Sequence, residues 1–379
     1  MQTMKSKNRL TLVSFLGILA MVLLAPPTCP GAEGFLQAIE PRDWTFPKDH
    51  RDHPGFQTEW WYYTGNVERA DKRPFGFQLT FFRVQLQPAP VVSSSKWRTN
   101  ELYFAHLTVS DMEAKTFLVA EKTGRGAVGI AGVLYKGVQV RVFVYRWETS
   151  IEGETHRLRA ESDGLAMDLT LVSEKPPVFH GKKGLSRKGA EQGQASYYYS
   201  LTRMNTQGTL QVEGKSFRVS GWSWMDHEFS SNVLSEHQAG WDWMGLQLSD
   251  GRELMLYVLR HKDGSLESFS SGTMVKKDGT FVHLPKETFV IKPLDYWKSP
   301  KSTGRYPSAW QVEVYPHDIN LTVLPNMTDQ ELMTEESTQV TYWEGSVGVA
   351  GAVSGQPVTG SGYVELTGYA GDFKGGLLW

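Results

Sequence analysis

The stretch Trp222-Ser223-Trp224-Met225-Asp226-His227-Glu228-Phe229 carries the densest chemistry in the chain. Three ionisable side chains stand in a row, enclosed by two Trp and a Phe. In an extended strand, neighbouring side chains point to opposite faces. Asp226 and Glu228 then share one face, and His227 shares the other with Met225 and Phe229. A carboxyl beside apolar rings tends to stay protonated, because desolvation disfavours its charged form. That suits a general acid, and a nearby imidazole suits a proton shuttle. The same trio would also serve as a buried polar network pinning a seam between two domains.

A second cluster is His53-Pro54-Gly55-Phe56-Gln57-Thr58-Glu59-Trp60-Trp61-Tyr62-Tyr63. On a strand, Glu59, Trp61 and Tyr63 share one face, and Trp60 and Tyr62 share the other. An inward Glu59 could orient a ligand, or pair with Arg83 at the end of the next strand. In Gly240-Trp241-Asp242-Trp243 the two Trp face one way, as core or as a ligand platform. His106, in Tyr103-Phe104-Ala105-His106-Leu107-Thr108, reads as a hydrogen-bonded core residue or a ligand contact. The candidate ligand-binding residues are therefore Glu59, Trp61, Arg83, His106, Trp224, Trp241 and Trp243. No Gly-x-Ser-x-Gly elbow or His-Glu-x-x-His pair is present, and no Gly-rich phosphate loop precedes a helix. The histidines lack metal-ligand spacing, so neither a metal nor another cofactor is expected.

These side chains need strands to position them. Gly76 to Arg83, Gly137 to Trp147 and Leu254 to Arg260 are rich in strand formers. Pairs that suit tight turns recur: Glu152-Gly153, Asp163-Gly164, Gln207-Gly208, Glu213-Gly214, Asp250-Gly251, Asp263-Gly264 and Asp278-Gly279. The pattern predicts an all-β chain of antiparallel strands, with at most a short helix near Asp329 to Glu336. Val219 to Asp226 aligns with Val358 to Glu365, and each Trp-bearing strand is followed by one ending in Arg. Two consecutive domains of one β type are the simplest account, joined near residue 232. Gly181 to Gln194, with four Gly and four basic residues, reads as an exposed loop, either a mobile insertion or a lid.

Lys5, Lys7 and Arg9 precede an apolar run from Leu10 to Leu24, then Pro and small residues up to Ala32. This layout predicts a signal peptide over 1–32 and a periplasmic or secreted protein. Cys29 is the only cysteine, and Pro26-Pro27-Thr28 before it is a poor lipobox match. Cleavage near Ala32 would leave no thiol for a disulfide or a nucleophile. The formal net charge is −2 with no long run of one sign, which gives no footprint for nucleic acid. The 13 Trp, 15 Tyr and 18 Phe must line cores, a cavity, or both. The expected partner is an apolar small molecule, with contact to a membrane or a lipid-export transporter an open alternative.

The chain resembles the AttH / carotenoid 1,2-hydratase family. Glu59-Trp60-Trp61-Tyr62, Phe75-Gly76-Phe77-Gln78 and Phe81-Phe82-Arg83 carry the likeness at the start. Tyr197-Tyr198-Tyr199-Ser200, Gly221 to Glu228 and Gly240 to Trp243 carry it in the middle. Tyr342-Trp343-Glu344-Gly345 and Gly362 to Tyr369 carry it at the end. The resemblance implies two consecutive lipocalin-like barrels, here 33–232 and 233–379. It also implies relation to fungal kievitone hydratase and to proteins labelled secreted hydrolases. In the hydratases a His-Asn-Trp stretch, a later Tyr and an Asp are implicated. The matching residues here are His227-Glu228-Phe229, Tyr257 and Leu259, so Asp226, His227, Glu228 and Tyr257 are the candidate catalytic residues. The functions left open are acid-assisted hydration of an isoprenoid or other apolar molecule, apolar-ligand carriage, and hydrolysis.

Overall fold

The structure is a computed structural model that describes residues 34–89, 93–231 and 234–371. The leader assigned to 1–32, Cys29 within it, and the boundary between 232 and 233 lie outside the described residues. Among the described residues the chain is almost all β, in two antiparallel sheets curled into barrel or half-barrel form.

The first sheet runs, strand by strand, Thr116–Arg125, Glu101–Asp111, Pro74–Gln85, Thr58–Glu68, Lys215–Ser230, Ala195–Val212, Leu165–Ser173, Thr155–Ser162, Trp147–Glu152, Gln139–Val144 and Ala131–Lys136. The second runs Phe281–Pro285, Ser271–Val275, Glu253–His261, Gln238–Leu248, Gln356–Leu366, Thr341–Val353, Ile319–Pro325, Arg305–Val314 and Phe289–Lys298. In both, the last long strand returns to pair with the first, between it and the penultimate one. The aligned segments Val219–Asp226 and Val358–Glu365 are these two closing strands.

Alternation decides what each strand buries. Trp61, Tyr63, Leu79, Phe81 and Met225 fill the interior of the first sheet. Met244, Leu246, Leu254, Leu256, Val364 and Leu366 fill the second. Their neighbours along the same strands point the other way, and the two outward faces meet. Tyr62, Tyr198, Trp224, Trp243, Met255, Tyr257, Leu259 and Tyr363 form a third apolar cluster at this seam. A buried ion triad locks the two sheets there: Lys175 Nζ and Arg203 Nε reach Glu253 at 2.7 and 2.5 Å.

Three local expectations change. Gln207-Gly208 lies inside the strand Ala195–Val212, not at a turn. A Cβ on Gly208 would sit 2.2 Å from the Asp168 carbonyl oxygen, so close strand approach is what demands glycine here. The segment near Asp329 contains the short strand Glu331–Met333, paired with Thr341–Trp343. Tertiary bonds override helix propensity, since buried Glu331 accepts from Tyr306 at 2.8 Å and Ser302 at 2.5 Å. Gly181 to Gln194 is half buried, with Leu185–Arg187 paired to Ala195–Tyr197.

Candidate active site

A cavity opens at the seam, with an empty volume of about 900 Å3 counted out to its mouth. The first sheet contributes Trp60, Tyr62, Gln78, Phe82, His106, Tyr198, Asp226 and Glu228. The second contributes Trp241, Trp243, Tyr257, Leu259, Tyr342, Glu344 and Glu365. The period of two explains the membership: Trp60 and Tyr62 face outward because Trp61 and Tyr63 face inward, and Tyr342 and Glu344 do so because Trp343 faces inward. Lys188 enters from the 181–194 segment, whose backbone is tied to the second sheet. Gln238 Nε2 donates to Lys188 O at 2.9 Å, and the Tyr257 hydroxyl donates to Arg187 O at 3.1 Å.

Four carboxyls face this space. Asp226 accepts from Trp224 Nε1 at 2.6 Å, from the Tyr198 hydroxyl at 2.7 Å and from Ser200 Oγ. Burial pushes its carboxyl up to about 7 against those three bonds, which favour the charged form. Glu365 accepts from Trp241 Nε1 at 3.0 Å, and burial with the nearby Asp226 and Glu228 pushes it up to about 7. Glu344, on the penultimate strand of the second sheet, stands opposite Glu365 on its closing strand. Its Oε1 accepts from the Tyr62 hydroxyl at 2.6 Å, while its fully buried Oε2 finds no protein partner. Burial first, and then Glu365, hold Glu344 well above the usual carboxylate range, so it is a neutral acid. With Oε1 accepting a hydrogen bond, the proton belongs on Oε2. Glu228 differs, because Lys188 Nζ lies 3.3 Å away as its counter-ion. That ammonium also lies 4.0 Å from the Tyr257 ring centre.

The sequence candidates divide between two places. Asp226, Glu228, Tyr257, His106, Trp241 and Trp243 line the cavity, and Trp224 supports it through Asp226. His106 is buried and held neutral by desolvation, which lowers it to about 3. Its two nitrogens engage the Tyr342 hydroxyl at 2.9 Å and Ser337 Oγ at 2.8 Å, so it positions Tyr342. His227, Glu59, Trp61 and Arg83 are on the inner face of the first sheet, away from the cavity. There His227 bridges Tyr199 at 3.0 Å and Glu59 at 2.8 Å, and Trp61 Nε1 donates to His50 O at 3.0 Å. Arg83 lies 3.4 Å from Glu59 and 3.0 Å from Glu101. The fold thus separates His227 from Asp226 and Glu228 by the thickness of one sheet.

Ligand atoms of His53, Glu59 and His227 lie within 4.8 Å of one another, a grouping that sequence spacing hides. They are already bonded to each other, His53 Nδ1 to Glu59 at 2.7 Å, and the Arg83 guanidinium supplies the positive charge that Glu59 needs. This donor set is satisfied without an ion. A broader depression, about 1240 Å3 and lined by Phe46, His50, Pro176, Pro177 and Leu201, opens elsewhere on the first sheet but gathers no comparable set of acids. Ser200 sits between His180 Nε2, at 2.6 Å, and Asp226. Its fully buried hydroxyl gives its hydrogen to the carboxylate, which is not the order of nucleophile, base and orienting acid.

Sequence reasoning missed Glu344, Glu365, Tyr198, Tyr342 and Lys188 as site residues. The available signal was the alignment of Asp226 with Glu365, which marks equivalent positions on the two closing strands.

Two lipocalin-type antiparallel β units thus meet over an aromatic, acid-bearing cavity. The chain belongs to the AttH-like family, whose model matches residues 37–369. It is similar to a solved protein of Nitrosomonas europaea provisionally named AttH, with 31% identity over 88% of this chain and 100% of that one, at a TM-score of 0.78. Kievitone hydratase from Nectria haematococca shares the fold at 16% identity and a TM-score of 0.66, over 86% of this chain and 93% of the hydratase. CghA, solved with Sch210972, shares it at 13% identity and a TM-score of 0.52, over 83% and 89%. No curated protein sequence matches the chain.

Proposed function

We propose that the protein binds a long apolar molecule, isoprenoid or lipid-like, in the seam cavity and adds water across one of its C=C bonds by acid catalysis. The observation that carries this reading is Glu344, an acid on the wall of an aromatic cavity whose buried Oε2 has no hydrogen-bond partner among the described residues. In the step, the Glu344 proton bonds to the less substituted alkene carbon, using the π electrons and leaving a tertiary cation. The rings of Trp60, Tyr62 and Trp243 and the neighbouring carboxylates stabilise that charge. Water then forms the C–O bond and gives its spare proton to Asp226 or Glu365. Both sit near 7, where a group can accept and return a proton at neutral pH. The structural likeness to kievitone hydratase supports a fold able to hold such a site. We also propose, from the leader sequence, that the mature protein works outside the cytoplasm.

The test is incubation with acyclic isoprenoid alkenes in 18O-labelled water. A tertiary alcohol carrying the label is the expected product. A second reading, a non-catalytic carrier, is favoured by Glu228, Phe229 and Leu259, which depart from the hydratase pattern. Tight binding that quenches Trp fluorescence, with no labelled alcohol from any bound alkene, would assign the carrier role.

A further inference from the structure

We infer that the seam cavity is a cation site: it takes ligands that carry a positive charge beside an apolar body, an alkylammonium being the stable example. This rests on reading the seam as a ligand site, and it holds whether or not catalysis occurs there.

The charges that face the space do not balance. Lys188 answers only Glu228. Among the described residues, Asp226, Glu344 and Glu365 have no basic partner; Asp226 and Glu344 are buried and Glu365 is half-buried. Gln78 Oε1, buried on a cavity-lining residue, is an acceptor atom without a donor among the described residues. The other titratable groups facing the acids are the hydroxyls of Tyr62, Tyr198, Tyr257 and Tyr342 and the imidazole of His106, none of which carries positive charge at neutral pH.

The apolar part of the lining suits the same ligand. A quaternary alkylammonium has no N–H to spend and is held by aromatic faces and nearby anions. The site already handles one ammonium in this way: Lys188 Nζ lies 4.0 Å from the Tyr257 ring centre, 5.4 Å from that of Tyr198 and 3.3 Å from Glu228. Burial raises the carboxyls of Asp226 and Glu365, and no neighbouring base among the described residues offsets it. A cation placed among them must drive their protons off.

The test uses the whole mature chain and three probes: geranyltrimethylammonium, its neutral isostere with tert-butyl in place of trimethylammonium, and geranate. Calorimetry at pH 7 in two buffers of different ionisation enthalpy reads affinity and proton release together. The ammonium should bind at least about tenfold tighter than the isostere, with geranate weakest, and should release protons. Asp226→Asn and Glu365→Gln should each reduce that release; two variants keep the test open if one fails to fold. Lys188→Met should tighten ammonium binding several-fold by freeing Glu228. Equal affinity for ammonium and isostere, or ammonium binding without proton release, overturns the inference. Labelled-alcohol formation in that case would leave the hydration reading standing; ammonium selectivity without any alcohol would leave only the cation site.

Discussion

Glu344→Gln is the substitution that best separates chemistry from architecture. Glutamine keeps the shape and keeps a carbonyl oxygen where Tyr62 donates its 2.6 Å bond. It replaces an acid held neutral by burial with a neutral amide, so no buried charge is created or lost. Stability should change by no more than the net worth of about one hydrogen bond, about 1 kcal/mol. In a chain of this size that is a shift of at most about 4 °C in Tm. Ligand affinity should stay within about threefold. Turnover should fall by about 100- to 10,000-fold, the usual contribution of a general acid. Glu344→Leu is the contrasting change: it removes the Tyr62 acceptor as well and should cost about 1–3 kcal/mol. Thermal melts, Trp-fluorescence titration and the labelled-water assay give the three readings. Turnover retained within about threefold in Glu344→Gln, with binding intact, would refute the assignment. If Asp226→Asn then lost turnover, the donor would be Asp226.

Other outcomes follow from the same geometry. Asp226 and Glu365 have folded pKa values near 7, above their unfolded values, so the folded state holds extra protons between about pH 4 and 7. Their contribution to stability is complete below the unfolded pKa and is lost as pH rises through 7. The gap in Tm between wild type and Asp226→Asn should therefore change across that window; a pH-independent gap would show that the carboxyl titrates normally. Glu253→Gln strips the partner from buried Lys175 and half-buried Arg203 and should destabilise by about 3–5 kcal/mol, read by urea unfolding. His227→Gln should lower stability through the Tyr199 and Glu59 bonds while leaving ligand affinity and turnover near wild type. Lost turnover at unchanged Tm would return His227 to the mechanism. N-terminal sequencing of protein from its own host should find a mature end between Ala25 and Gly34, and intact Met1 on a soluble cytoplasmic protein would contradict export.

The β architecture was legible because its signals are local. Six of the seven polar-Gly pairs mark turns, and alternation correctly put Asp226 and Glu228 on one face and His227 on the other. Gln207-Gly208 failed because glycine there answers a neighbouring strand, which a single sequence does not display. Half the site was legible too, where Trp, Asp and Glu crowd one strand. Glu344 was not. Next to Trp343, in a strand otherwise rich in Gly and Val, it looks like one more surface acid. Only the packing of a second sheet buries it. Lys188 was read as loop charge for the same reason. Glu59 faces inward and lies 3.4 Å from Arg83, the pairing that the sequence offered as one alternative.

The repeat explains why the acids gather at the seam at all. Each closing strand carries one acid at the same register position, Asp226 opposite Tyr62 and Glu365 opposite Trp243. In a single barrel such an acid points outward to water and ionises normally. Set two barrels face to face and both acids are desolvated by the partner's aromatic rings, which raises each without any special local sequence. Glu344 is added by the penultimate strand of the second sheet, where the first sheet has Ser200. The likeness breaks at this position, which puts Glu344 on one side only. A duplicated fold with paired acids makes a polar seam; the unmatched carboxyl makes it asymmetric, as the proposed proton transfer requires.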